Sequence, residues 1–132
     1  MTRSVAYLDS SALVKLVLAE TESVALRTWT DARAAVTSCA LARTEVLRAV
    51  RRFDEHVRAR ARLVLSELDL VAIDDGILDA AATLDPDVQR SLDAIHLAAA
   101  MSLGDDLLAI VSYDDRMLDG ARLLGLPIER PS

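Results

Sequence analysis

The 132-residue chain has few of the residues and segments that mark several classes of protein. Its one cysteine, Cys39, excludes an internal disulfide, so we expect a small buried thiol and a reducing, cytoplasmic location. The first apolar run is broken at Asp9, which is too early for a secretory signal. No apolar stretch approaches the roughly 20 residues of a membrane span, so we expect no membrane association.

Aromatic residues are also scarce, and the chain has no net positive charge. Aromatics form 3% of the chain and hydrophobic residues 52%, so the core must consist mainly of alanine, leucine and valine. This apolar fraction predicts an oligomer or a bound partner. The formal net charge of −6 argues against binding nucleic acid by global attraction. Arginines cluster locally between Arg43 and Arg62, and we interpret most of them as a solvated helical face.

Short apolar runs alternate with helical patterns along the chain. The predicted strands are Val5–Asp9, Ala35–Ser38, Leu70–Ile73, Leu107–Ser112 and Pro127–Glu129. The predicted helices are Ser11–Ala19, Glu22–Arg33, Ala40–Phe53, His56–Leu68, Gly76–Leu84, Ser91–Leu103 and Asp115–Leu124. This alternation predicts an α/β fold, with one parallel sheet covered by helices on both faces.

Several residues at the predicted boundaries have local roles of their own. Thr21, Asp74 and Ser91 are candidate caps for helix starts. Gly104 and Gly125 follow helical segments and are expected to adopt the left-handed conformation.

Two acidic residues follow predicted strands directly. Asp9 ends the first strand, and Asp114 follows the fourth. Sites in open parallel sheets lie outside the carboxyl ends of the strands, so these two side chains are candidates for one site. The alternative for each is a helix cap, because each also precedes a predicted helix.

Two further acids lie on predicted helices among apolar neighbours. Glu45 sits at the edge of an apolar stripe, where a carboxylate needs a partner or a metal ion. Asp93 and His96 are the polar exceptions on a nearly apolar helix. Asp93 also suits the first turn by its charge, and His96 is expected to be a satisfied, mostly buried histidine. Together, four gathered carboxylates would repel one another unless a hard cation such as Mg²⁺ neutralised them.

The residues around these acids resemble the PIN-domain ribonucleases, and within them the VapC toxins of bacterial toxin–antitoxin pairs. Four segments, in order along nearly the whole chain, carry the resemblance: Tyr7–Lys15, Thr44–Val46, Asp93–Ala100 and Ser112–Arg116. The resemblance implies a single PIN-like domain over residues 1–132, a three-layer α/β/α fold with a five-stranded parallel sheet. It further implies Mg²⁺- or Mn²⁺-dependent hydrolysis of RNA, a homodimer, and inhibition by a cognate VapB-type antitoxin.

The same resemblance implies roles for individual residues. Asp9 and Asp93 would be the principal metal ligands, and Glu45 and Asp114 would complete the catalytic cluster directly or through waters. The supporting hydroxyls are those of Ser10 and Ser112. The candidate RNA-binding arginines are Arg43, Arg48 and Arg116.

Two alternatives stay open at this point. Asp115 is a neighbouring acid that would share or replace the role of Asp114. A catalytically silent module that binds RNA or an antitoxin without cutting is the alternative function.

Overall fold

A single five-stranded sheet organises the protein, whose computed structural model describes residues 4–32, 35–85, 88 and 90–132. The strands are β1 (Val5–Leu8), β2 (Ala35–Cys39), β3 (Asp69–Val71), β4 (Leu107–Val111) and β5 (Ile128–Glu129). The helices are α1 (Ser10–Val17), α2 (Ser23–Asp31), α3 (Leu41–Val50), α4 (Glu55–Ser66), α5 (Asp75–Ala82), α6 (Ser91–Met101) and α7 (Asp115–Leu123). Within these described ranges, no helix is both long and apolar enough to cross a lipid bilayer.

The strand order is β3-β2-β1-β4-β5, and every pairing is parallel. The first strand is therefore central, between β2 and the much later β4. Because all strands run the same way, their carboxyl ends meet at one edge of the sheet. The residues that follow β1 and β4 are neighbours at that edge.

Helices cover both faces of the sheet, as the apolar strands require. Ala6 and Leu8 of β1 join a core cluster with α1 to α4, and Tyr7 between them joins a second cluster with α5 to α7. This alternation follows from the two-residue period of a strand. The predicted three-layer α/β/α architecture with a five-stranded parallel sheet is confirmed.

The predicted element boundaries agree with the observed ones to within three residues where both are described. The largest difference is at α3, predicted to run to Phe53, which ends at Val50 and is followed by a turn. The predicted end of the second helix, Arg33, lies outside the described residues.

Of the three predicted helix caps, one is correct. The Asp74 side chain accepts a hydrogen bond from a backbone N–H in the first turn of α5. The other two predictions are wrong by one residue. Glu22 stands at the start of α2 and makes no side-chain cap, so Thr21 lies too early. Ser91 is already helical, because the extended residue before α6 is Arg90.

The two glycines expected in the left-handed region adopt it. Gly104 has φ of 56° and Gly125 has φ of 71°. Gly125 ends the helical path after α7 and turns the chain toward β5. A side chain at either position would be strained by its own Cβ.

Candidate active site

The ends of β1 and β4 bring Asp9 and Asp114 to the same edge of the sheet. Leu8 pairs with Val111 in the parallel register, and the Asp9 N–H donates to the Val111 carbonyl at 3.2 Å. Asp114 follows Val111 by three residues, at the start of α7. The sheet thus positions two carboxylates that are more than 100 residues apart in the sequence.

Asp9 is buried, with 3% of its surface exposed, and is held by three hydrogen bonds. Its Oδ1 accepts from the Ser11 hydroxyl at 2.6 Å and from the Ala12 N–H at 3.1 Å. Its Oδ2 accepts from the Ser112 hydroxyl at 2.6 Å. Burial raises the pKa of the Asp9 carboxyl, and these hydrogen bonds offset only part of that rise. The Ala12 contact also makes Asp9 the cap of α1, so the capping alternative is correct as well.

Ser112 links the two strand-end acids. Its Oγ donates to Asp9 and accepts from the Asp114 N–H at 3.0 Å. The Asp114 side chain accepts from the Arg116 N–H at 2.9 Å and so caps α7. Asp115, the alternative acid, is instead paired with Arg130 at 2.6 Å on the surface. The contacts therefore favour Asp114 over Asp115 as the acid associated with Asp9.

Asp93 lies in the first turn of α6, where the charges of the strand-end acids Asp9 and Asp114 affect its pKa. Burial raises the pKa of the Asp93 carboxyl, and the negative charge of Asp114 raises it further. The charge of Asp9 acts in the same direction, whereas Arg90 and His96 oppose it. Asp93 is thus the third carboxylate at this edge.

Glu45 reaches the edge from α3 and has partners of its own. Its Oε1 accepts from the Ser10 hydroxyl at 2.7 Å and from His96 Nε2 at 2.6 Å. Burial would raise the pKa of Glu45, but these two hydrogen bonds outweigh it and lower the pKa. The partner that Glu45 requires is therefore a histidine on α6.

His96 is buried, with 3% of its surface exposed, as predicted. Its ring contacts Tyr7 and Cys39 through Nδ1, and its Nε2 bonds to Glu45. Burial would lower the pKa of His96, but the hydrogen bonds with Cys39 and Glu45 raise it to about 10. Cys39 is fully buried, as expected for a packed thiol.

The acids at this edge have no opposite charge in direct contact, apart from Glu45. Among the described residues, no ion pair within 4.0 Å involves Asp9, Asp93 or Asp114. In the same part of the chain, no three carboxylate, imidazole or thiol groups are close enough to ligate one ion together. Mg²⁺ usually binds through only one or two carboxylates and keeps several waters, so two of the carboxylates at this edge would suffice to hold it.

A cleft of about 160 Å³ adjoins Asp93 between α6 and α7. Arg90 and Arg116 line it together with Asp93. Of the other arginines named as RNA contacts, Arg43 lines a groove between α3 and α4. Arg48 is exposed three residues after Glu45, which puts it on the same side of α3.

Two residues at this edge were not predicted from the sequence. Ser11 fixes Asp9 and also accepts from the Tyr113 N–H at 2.9 Å, and Arg90 lines the cleft beside Asp93. Successive helical residues point about 100° apart, so Ser10 and Ser11 serve different carboxylates. The sequence carries the pair of hydroxyls but does not reveal which acid each one contacts.

The chain matches a protein family and several known proteins. The model of the PIN domain family matches residues 6–123. Ribonuclease VapC46 of Mycobacterium tuberculosis is 49% identical over 126 residues, which cover 96% of this chain and 97% of the relative. Ribonuclease VapC47 of the same species is 41% identical over 131 residues, covering 95% and 96%.

The fold also matches a solved structure. The crystal structure of M. tuberculosis VapC20, a sarcin–ricin loop cleaving toxin, superimposes with a TM-score of 0.72. The match covers 96% of this chain and 99% of that one, at 17% identity. At that identity the likeness concerns the fold alone.

Proposed function

This chain belongs to the PIN-domain family and is similar over nearly its whole length to VapC ribonucleases, and we propose that it is a metal-dependent endoribonuclease, the toxin of a toxin–antitoxin pair. One observation carries the proposal. Asp9, Asp93 and Asp114 lie at the carboxyl edge of the sheet, near enough for their charges to act on Asp93, and none of them forms an ion pair within 4.0 Å among the described residues. Such uncompensated charge suits a hard divalent ion.

The acids divide into two groups by their surroundings. Asp9 and Asp93, whose pKa values are raised, would hold Mg²⁺ or Mn²⁺ as the principal ligands. Glu45 and Asp114 would complete the site through bound waters, because no three such groups among the described residues lie close enough to ligate one ion together. The bound ion supplies an activated water and offsets charge on the phosphate oxygens.

The chain's own residues orient these groups before any substrate arrives. Ser11 and Ser112 each donate to a different oxygen of Asp9, so that carboxylate is fixed in rotation. The Asp114 N–H bonded to Ser112 ties the start of α7 to the same hydroxyl. Pre-orientation of this kind reduces the ordering needed at the moment of reaction.

RNA would be held by a local basic rim. Arg90 and Arg116 face the cleft beside Asp93, and neither side chain has a hydrogen bond or ion pair among the described residues. Arg48 lies on the Glu45 side of α3, and Arg43 would contact only RNA that extends into the α3–α4 groove. Exposed single-stranded loops of RNA would fit such a rim. We also propose that the protein lies in the cytosol, where such RNA is present.

A metal-titrated cleavage assay on a mixed RNA pool tests the proposed function. We expect wild type to cleave with Mg²⁺ and to stop in excess chelator. Asp93→Asn removes a charge with little change in volume and should nearly abolish cleavage. Asp105→Asn, an exposed aspartate in the turn before β4, is the matched control and should cleave normally.

Two results would contradict this function. Undiminished cleavage in chelator would remove the metal from the reaction. RNA binding in a gel-shift assay without cleavage under any metal would support the silent binding module instead.

The antitoxin would bind on the opposite side from the α5–α7 layer. A groove of about 450 Å³ runs between α2 and α4, and Leu63 on its wall is 59% exposed. Its lining mixes apolar side chains with charges of both signs: Leu16, Arg27, Asp31, Val36, Arg60, Leu63, Val64, Glu67 and Leu68. Such a groove fits an amphipathic helix of a VapB-type antitoxin.

Binding of the adjacent gene's product tests this partner. Leu63→Asp should weaken inhibition by the antitoxin and leave RNA cleavage intact. Leu78→Asp, an exposed leucine on α5, is the control and should be inhibited like wild type. We also propose a homodimer, which a monodisperse monomer across micromolar concentrations in sedimentation would contradict.

A further inference from the structure

A continuous chain of hydrogen bonds crosses from the centre of the sheet to Glu45. The Tyr7 hydroxyl of β1 is 2.7 Å from His96 Nδ1. His96 Nε2 is 2.6 Å from Glu45 Oε1, and the Ser10 hydroxyl donates to the same oxygen at 2.7 Å. The chain thus joins β1, α6, α3 and α1 through side chains alone.

Both donors to Glu45 converge on one oxygen. A carboxylate has no proton to donate, so His96 Nε2 must carry the hydrogen in this contact. Oε2 has no hydrogen-bond partner among the described residues. Two donors on Oε1 prevent rotation of the carboxylate and leave Oε2 as its available oxygen.

The imidazole ring is itself fixed from its other side. His96 and Tyr7 are 3% and 0% exposed, and their rings meet edge to face at a centroid distance of 5.9 Å. With both ring nitrogens engaged and the ring enclosed, His96 has one orientation. A rigid buried donor of this kind holds its acceptor better than a solvent-exposed one.

His96 shares helix α6 with one of the acids at this edge. His96 lies one helical turn after Asp93, so α6 presents an acid to the site and the ring to Glu45. Any shift of α6 would therefore move Asp93 and the support of Glu45 together.

We propose that His96 is a positioning residue, which acts through Glu45 by fixing Oε1 and presenting Oε2 to the reacting centre. The inference rests on the proposed ribonuclease function. It assigns to His96 no contact with RNA and no exchange of a proton with substrate.

Two substitutions of His96 test the inference. His96→Leu fills the space and removes the donor, and we expect kcat per folded molecule to fall at least tenfold with KM for RNA within twofold. His96→Gln places an amide N–H near the position of Nε2 and should recover a substantial part of kcat. Leu26→Ala, a fully buried position on α2, controls for lost stability and should keep kcat per folded molecule.

A spectroscopic readout on metal-free protein checks the contact without any reaction. The chain has two histidines, and His56 is exposed on α4. In ¹⁵N-labelled protein, the Nε2-bound proton of His96 should persist against solvent exchange, and that of His56 should not. Glu45→Gln should shift the His96 signal strongly.

Each outcome decides a separate point. The positioning role requires that wild type cleaves RNA. It would be overturned if His96→Leu then kept the full kcat, or if His96→Gln had a kcat no higher than that of His96→Leu. A His96 signal unaffected by Glu45→Gln would overturn the contact itself. If wild type cleaves no RNA with any divalent metal, the proposed function fails and the role of His96 in it falls for that reason.

Discussion

Asp9 both caps a helix and contributes a carboxylate to the site, and two substitutions can separate these roles. Asp9→Asn keeps a carbonyl oxygen for the Ser11 hydroxyl and the Ala12 N–H and removes the charge. Asp9→Ala removes the charge and all three hydrogen bonds. Because both variants lose the buried carboxylate, its desolvation cost cancels when their stabilities are compared.

The difference between the two variants can be estimated from the contacts. A lost side-chain cap costs about 1 kcal/mol, and each lost buried hydrogen bond about 0.5–1.5 kcal/mol. The Ser11 and Ser112 hydroxyls keep other partners, the N–H groups of Tyr113 and Asp114, which limits the loss. We therefore expect Asp9→Ala to be less stable than Asp9→Asn by about 2–3 kcal/mol.

Urea unfolding in chelator measures this difference, and the RNA cleavage assay with Mg²⁺ measures activity. Both variants should be inactive, although only Asp9→Ala should be markedly unstable. Equal stability of the two variants would refute the structural half of the reasoning. Cleavage by Asp9→Asn within tenfold of wild type would refute the catalytic half.

Three further predictions concern the backbone, the metal and the basic rim. Gly125→Ala should cost about 1–2 kcal/mol in urea unfolding because φ is positive there, whereas Gly76→Ala, in a helix, should not destabilise. Mg²⁺ at 100 times its Kd should stabilise wild type by about 2.7 kcal/mol, which a rise in melting temperature would report. Asp93→Asn should lose most of this gain. Arg116→Gln should raise KM for RNA and flatten its salt dependence, whereas Arg122→Gln, whose parent arginine is paired with Asp119, should change KM little.

Strand–helix alternation was enough to predict the layers of the fold, and β1 and β4 were the clearest strands because each is a short apolar run followed by a polar residue. The end of α3 was harder to predict. Arg51 and Arg52 continue a helical composition, but the helix ends in a turn after Val50, and α4 then packs on α3. The helix caps Thr21 and Ser91 failed by one residue, a shift that composition alone cannot resolve.

The candidate site was predictable to the level of which acids lie at strand ends. The placement of Asp9 and Asp114 at one edge of the sheet follows from the parallel topology, which the apolar runs predict. The pairing of Glu45 with His96 was not predictable, because it joins two helices whose relative rotation depends on packing. Asp93 and His96 share a helix, and their spacing along it gave no indication of the bond from His96 to Glu45.

The sheet order has a consequence for when activity can first arise during synthesis. The central strand β1 leaves the ribosome first, but its neighbour β4 and the Ser112 hydroxyl are translated about 100 residues later. Domains fold as units once enough chain has emerged, so a nascent chain that ends before β4 has an unpaired central edge and an incomplete acidic cluster. A message broken before the codons of β4 would therefore yield a fragment without Ser112 and Asp114, and under the proposed function that fragment would not cleave RNA.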